Sequence, residues 1–149
     1  MGQRKRLAAD KRKQERKSIC IAHLRNHPSS PRKMRLVVDL VRGMNVLKAL
    51  SVLKFTNKAA AKPVYKLVLS AIANWNVKFP DLDVEESEVF IQTIMVGPGS
   101  SLKRIRPAPQ GRAHRIRKRS NHVTLILDAK NKEIVVASVP EISTPTVEI

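Results

Sequence analysis

Between Lys103 and Arg119 the chain reads KRIRPAPQGRAHRIRKR, which places eight Lys or Arg in 17 positions without one acid. Ammonium and guanidinium groups at that density have one chemistry in common, the neutralisation of phosphates, with Arg acting as a planar fork and Lys as a point charge. No aromatic residue lies between 97 and 122, so the segment has no platform for stacking bases and must work through phosphates and shape. His114 could stack or donate to a phosphate, or stay solvated as most lone loop histidines do. A second cationic group, Arg32 and Lys33, falls in the first turn of a predicted helix. The macrodipole disfavours positive charge there, so these residues serve either an anionic ligand or the solvent. Cys20, His23 and His27 have a C-x2-H-x3-H spacing, but zinc wants a fourth ligand, none is near, and Cys20 and His23 fall on a predicted strand. We read no metal site and no cofactor. Neither a Ser-His-Asp set nor a carboxylate pair is indicated, and an enzyme is not expected.

Composition limits what can hold these cations in place. A chain of 149 residues, 42% of them hydrophobic, fits one domain with tails. Lys and Arg number 29 against 12 Asp and Glu, a formal charge of +17, and such a charge opposes compaction unless an anion is bound. Nucleic acid is the first candidate partner and an anionic membrane surface the second. No apolar run approaches the ~20 residues of a spanning helix, and the N-terminus has no signal-peptide core, so membrane insertion is not expected. Arg6 stands where an acylation signal would need Ser or Thr. A lone Cys20 fits a reducing cytoplasm.

Charge and hydropathy divide the chain into three parts. Residues 1–17 carry eight cations and two acids with hardly an apolar residue, which predicts a disordered basic arm, either solvated or bound to RNA. Residues 18–137 form the single domain. Residues 138–149 mix Pro, Ser and Thr without periodicity and are expected to be a mobile tail. Within the domain, DLDVEESE at 81–88 gathers five acids. A phosphate surface would repel them, so they should face solvent.

The apolar pattern of the domain is helical first and strand-like later. A short strand is expected from Ser18, in SICIAHLRN. Ser30 and Pro31 then punctuate a helix start and Gly43 its stop, with Met34, Val37, Val38 and Val41 as the buried stripe. Asp39 is placed to pair with Arg35 at i, i+4. Asn45 can cap a second helix carrying Val46, Leu50 and Leu53. A third carries Val64, Leu67, Val68, Ala71, Ile72 and Trp75, with Pro63 requiring a kink or a late start. SEVFIQTIMV and NHVTLILDA are predicted as antiparallel partners. Val89, Ile91 and Met95 lie on one face of the first, and Val123, Leu125 and Leu127 on one face of the second. KNKEIVVA could add a last strand. The basic segment lies between the two partners, and residues 97–119 are far too many for an ordinary hairpin loop. The rhythm of Ile105, Arg106 and Ile116, Arg117 around the turn-forming PAPQG predicts a protruding two-stranded arm reaching roughly 35 Å at ~3.3 Å per residue. Such a ribbon is marginal alone and needs an anion around it. A basic β-arm with a tip proline could also wedge into a DNA minor groove, which is the competing, architectural reading.

HLRNHPSSPRKMRLVVDLVRGMNVLKAL, FTNKAAAKPVYKLVLSAIANW and LKRIRPAPQGRAHRIRKRSNHVTLIL together resemble the bacterial-type large-ribosomal-subunit protein twenty-two family, in its order and at its spacings, over roughly residues 20 to 128. The resemblance implies an α+β fold, three helices packed on a small antiparallel sheet with a long protruding basic β-hairpin, at the rim of the polypeptide exit tunnel. It implies a structural constituent that binds ribosomal RNA, supports subunit assembly and helps line the tunnel with its hairpin. Its partners would be large-subunit ribosomal RNA, neighbouring large-subunit proteins and, at the hairpin tip, the nascent polypeptide. By the same carry-over, Arg32, Lys33, Arg35, Lys103, Arg104, Arg106, Arg112, Arg115, Arg117, Lys118 and Arg119 would bind RNA. Leu102, Lys103, Arg104, Ala108, Pro109, Gln110 and Gly111 would lie near the tunnel. The chain departs from the family at Ala108 and Gln110, where relatives often carry cations. It departs also at Val96-Gly97-Pro98-Gly99, which lacks the usual preceding acid, and at Pro63.

Overall fold

The computed structural model describes residues 3–80, 82–85 and 87–130. The expected last strand and the tail at 138–149 lie outside the described residues, as do Asp81 and Glu86 of the acidic cluster. Among the described residues four α-helices and three strands follow one another as α1 (Gln3–Ser18), β1 (Cys20–His27), α2 (Pro31–Val41), α3 (Val46–Phe55), α4 (Ala61–Lys78), β2 (Val89–Pro107) and β3 (Ala113–Ala129). The sheet is antiparallel in the order β1-β3-β2, so the fold is α+β as expected, with α2, α3 and α4 packed on the sheet.

The helices α2, α3 and α4 begin where the sequence supplies or tolerates a boundary. Ser30 precedes α2 in extended backbone with Pro31 as its first residue, where the missing N–H would be unsatisfied anyway. Gly43 ends the segment at φ +74°, a left-handed conformation that costs glycine nothing. Asn45 caps α3, its side chain accepting from the Leu47 N–H at 2.9 Å. Pro63 resolves as a late start: α4 begins at Ala61, so the proline sits in the first turn, whose donors have no intrahelical partner to lose.

The stripes meet in one core. Met34, Val37, Val38 and Val41 of α2, Val46 and Leu53 of α3, and Val64, Leu67, Val68, Ala71 and Trp75 of α4 are buried against Cys20 and Ala22 of β1 and Val123, Leu125 and Leu127 of β3. Leu50 and Ile72, expected inside, are half-buried at its border. The turn after α2 pairs with the outer edge of β2 at Ile91, through Gly43 N–H to the Ile91 carbonyl at 3.1 Å and Ile91 N–H to the Met44 carbonyl at 2.9 Å. At that one position the edge no longer offers its backbone groups to another chain.

Three expectations need correction. The basic arm is a helix, because Gln3 to Ser18 contains only residues of fair or good helix propensity and no Gly, Pro or β-branched residue. Its described side chains are all exposed, so α1 contributes no core. Asp39 pairs with Arg42 at 2.9 Å rather than with Arg35, since Arg35 turns to a carbonyl of β2 instead. On β2, Val89 and Ile91 are buried but Met95 is 54% exposed, and Ile94 takes its place at 1%. Ile91 stands opposite Leu127 while Thr93 stands opposite Ile126, so Gln92 is an inserted residue. One extra residue reverses which side chains face the core.

Candidate nucleic-acid interface

The hairpin is one continuous ribbon rooted in the sheet. Gly97 and Pro98 pair with His122 and Asn121 at the sheet border, and the free part runs from Ser101↔Arg119 to Pro107↔Ala113. Seven pairs at ~3.3 Å per residue reach about 23 Å, less than the arm expected from the whole of 97–119, because the first residues belong to the sheet. At the tip the Ala108 N–H donates to the Arg112 carbonyl at 2.8 Å. The intervening Pro109, Gln110 and Gly111 make one tight turn, with φ +61° at Gln110 and +68° at Gly111.

Pairing register assigns every cation of the ladder to a face, Arg112 lying in the tip turn beyond it. Cross-strand partners share a side of the ribbon. Lys103, Arg115, Arg117 and Arg119 therefore lie on one face, continuous with the core side of the sheet through Asn121 and Val123. Arg104, Arg106 and Lys118, with His114, lie on the other. All are exposed. Only Lys103 and Arg117 are cations directly opposite each other; the others face Ser101, Leu102, Ile105, Ile116 or His114. This stagger lowers repulsion across the ladder. Leu102, Ile105 and Ile116 are exposed among the cations, and no described carboxylate forms an ion pair with the ribbon.

The structure joins the second cationic group to the first. The Arg35 guanidinium donates to the Val96 carbonyl at 3.2 Å, fastening α2 to the strand just before the ribbon leaves the sheet. Asn121 is buried, and its amide donates to both the Ser29 carbonyl and the Ser29 hydroxyl at 2.8 Å. The segment that starts α2 is thereby held at the hairpin root. Arg32 and Lys33 are exposed in the first turn beyond it, and a groove between Ser29, Ser30, Ser100, Lys118 and Arg119 separates this start from the ribbon. Asn121 and Ser29 are the functional residues that sequence reasoning missed. The signal was present: Asn121 is in phase with buried Val123, Leu125 and Leu127, and a polar residue on a core face needs a partner.

At the root Gly99 and Ser100 stand opposite Ser120 alone, a second inserted residue that bends the ribbon away from the sheet. Ser120 donates to the Ser100 carbonyl at 2.5 Å. A methyl group on Gly99 would meet the Ser120 hydroxyl at 2.6 Å.

The possible metal set does not converge. Cys20 is buried and donates to the Ala71 carbonyl at 3.4 Å, while His23, three residues along the same strand, is exposed and bonded to the Thr124 hydroxyl at 3.2 Å. Burial raises the Cys20 thiol above its ordinary range, with Lys78 opposing. Asp83, Glu85 and Glu88 are exposed. Glu88 pairs with Lys130 at 2.8 Å, which lowers its carboxyl below the usual range.

Residues 22–128 match the model of the family described as ribosomal protein L22p/L17e. The chain is 60% identical over 131 residues to the large ribosomal subunit protein uL22 of Flavobacterium psychrophilum, covering 88% of this chain and 96% of the relative. The protein of the same name from Christiangramia forsetii is 59% identical, covering 88% of this chain and 97% of its own length. For that of Bacteroides fragilis the figures are 56%, 88% and 96%.

Proposed function

The chain belongs to the ribosomal protein L22p/L17e family, and from that premise we propose that its hairpin is a phosphate-binding ribbon inserted between segments of folded ribosomal RNA. As a family member it is a structural constituent of the large ribosomal subunit, it binds ribosomal RNA and functions in translation in the cytoplasm, and it is not an enzyme. The architectural DNA-binding reading finds no support among these relatives.

The observation that carries the proposal is the two-sided charge of the ribbon. A hairpin lying on a nucleic-acid surface needs cations on one face only. Here both faces present them, with no acid between. Such a ribbon is neutralised when phosphates approach from both sides, as in a cleft of folded RNA. In this reading Lys103, Arg104, Arg106, Arg112, Arg115, Arg117, Lys118 and Arg119 contact phosphates, Arg32 and Lys33 extend the contact at the root, and Arg35 positions the two parts. Fixing several RNA segments about one ribbon would support subunit assembly. The tip, from Leu102 to Gly111, reaches towards the exit tunnel and the nascent chain, and its neutral Ala108, Pro109 and Gln110 would pass a peptide without holding it electrostatically.

Two experiments test this. Changing Arg104, Arg106, Arg112, Arg115 and Arg117 together to Gln is expected to leave the domain folded, each exposed change costing within about ±0.5 kcal/mol. It should reduce the slope of log affinity against log salt for a large-subunit RNA fragment by something like 0.7 to 0.9 per lost phosphate contact. An unchanged slope would show that these side chains do not carry the contact. For the tip, a photo-crosslinker at Gln110 should capture nascent chains in translating ribosomes, and efficient labelling of RNA alone would count against this placement.

A further inference from the structure

The helical side of the domain has a surface that phosphate binding by the ribbon leaves unexplained. Residues 40–80 contain no acid. Within them Lys54, Lys58, Lys62 and Lys66 recur every four residues across the end of α3 and the start of α4. All four are exposed, and none forms an ion pair with a described carboxylate. They rim a groove lined by Leu53, Tyr65 and Leu69, which also includes Asn57.

The aromatic residues are placed unevenly. The chain has five. Trp75 and Phe79 are buried against each other with ring centroids 4.7 Å apart, and Phe90 is half-buried on the sheet. The other two are at the α3–α4 junction. Tyr65 lines the groove, and Phe55, in the last turn of α3, is 84% exposed. Leaving a phenyl ring in water forfeits the free energy its burial would release, and this ring follows Lys54 directly and precedes Lys58 by three residues.

We propose that the α3–α4 junction is a second RNA surface that receives unpaired nucleotides. An unstacked base lies on the free face of Phe55, a neighbouring base enters the groove against Tyr65, and the lysines take the flanking phosphates. Base-on-ring stacking beside cations is the means by which single-stranded nucleic acid is held without sequence demand, and the Asn57 amide can add a bond to a base edge. The four-lysine rim would also suit an acidic peptide. A peptide anchor, however, would use the groove and leave Phe55 outside it, whereas stacking uses both rings. The inference rests on the RNA-binding role of the chain and assigns a chemistry that the ribbon, without aromatics, does not have.

The test uses the full chain carrying the five hairpin Arg→Gln changes, which lowers the ribbon's share of the binding, and reads this surface from the effect of changing Phe55 in that background. The probes are a mixed-sequence single-stranded RNA decamer, an abasic decamer with the same phosphates, and an acidic amphipathic peptide. Phe55→Leu should weaken decamer binding by about 5- to 150-fold, the range equivalent to ~1–3 kcal/mol of base stacking. Abasic binding should be unchanged and Phe55→Trp should restore the loss. Equal decamer affinity for the Leu and Trp variants would overturn the proposal, as would tight binding of the peptide with none of the decamer. Because Phe55→Leu is compared within one hairpin background, its failure is separate from failure of the ribbon reading, which the salt slope tests.

Discussion

At the scale of single residues, the hairpin root depends on a hydrogen atom where any other residue has a side chain. Gly99 approaches Ser120 so closely that an added methyl would lie 2.6 Å from its hydroxyl and 3.2 Å from its carbonyl carbon. The hydroxyl is not free to turn away, since it donates to the Ser100 carbonyl. Gly99→Ala should therefore cost about 1–3 kcal/mol, as overpacking does elsewhere. Combining it with Ser120→Ala removes the nearest clash, so the double variant should lose clearly less than the sum of the two single losses in urea melts. Additivity within about 0.5 kcal/mol would show that the two residues do not interact.

At the scale of elements, the inserted Gln92 decides which residues of β2 hold the sheet to the helices. Before it Val89 and Ile91 face the core, and after it Ile94 does, leaving Met95 on the open face. Ile94→Ala should cost about 2–5 kcal/mol, the range for emptying a buried aliphatic site. Met95→Ala should stay near the ±0.5 kcal/mol of surface changes. Chemical-denaturation midpoints of the two variants distinguish this phase from uninterrupted alternation, which would bury Met95 and expose Ile94. Equal losses would remove the insertion from the account. The helices are simpler: α2, α3 and α4 each bury one stripe, whereas none of the described side chains of α1 is buried, and that helix rests on local propensity, an Asp10–Lys13 pair at 3.7 Å and a bond from Lys78 to the Arg16 carbonyl at 3.4 Å.

At the scale of the whole molecule, charge opposes the compact state and favours the complex. The formal charge is +17, and the ribbon concentrates eight cations on a two-stranded arm with no core of its own. Screening shortens from about 10 Å at 0.1 M salt to about 3 Å at 1 M, which relieves this self-repulsion. The melting temperature of the free protein should therefore rise between low and moderate salt. Affinity for ribosomal RNA should fall over the same range as counterion release weakens. A free-protein melting temperature that falls with added salt would show that repulsion does not limit its stability. The exposed Asp83, Glu85 and Glu88 are expected to remain in solvent in the assembled particle, where phosphates would otherwise repel them.

What the sequence determined by itself was the helix boundaries of the domain, one buried helix face and the hairpin, all of which depend on neighbours along the chain. Ser30-Pro31, Gly43 and Asn45 set helix boundaries, the period of Met34 to Val41 set a buried face, and PAPQG between two cationic arms set a hairpin with a basic surface. Each of these is decided within one or two turns of backbone, so local chemistry suffices. The tertiary structure decided what depends on residues far apart in the chain. Gln92 could be recognised as an insertion only against its partner strand, because alternation along one strand does not reveal a change of register. Arg35 had two partners within reach, and the Val96 carbonyl, 61 residues away, prevailed over Asp39. Asn121 became an anchor only when Ser29, 92 residues away, was brought beside it. The two-sided charge of the ribbon and the meeting of Phe55, Tyr65 and four lysines at one junction likewise follow from how strands pair and helices abut, since contact between distant residues is settled by the whole fold.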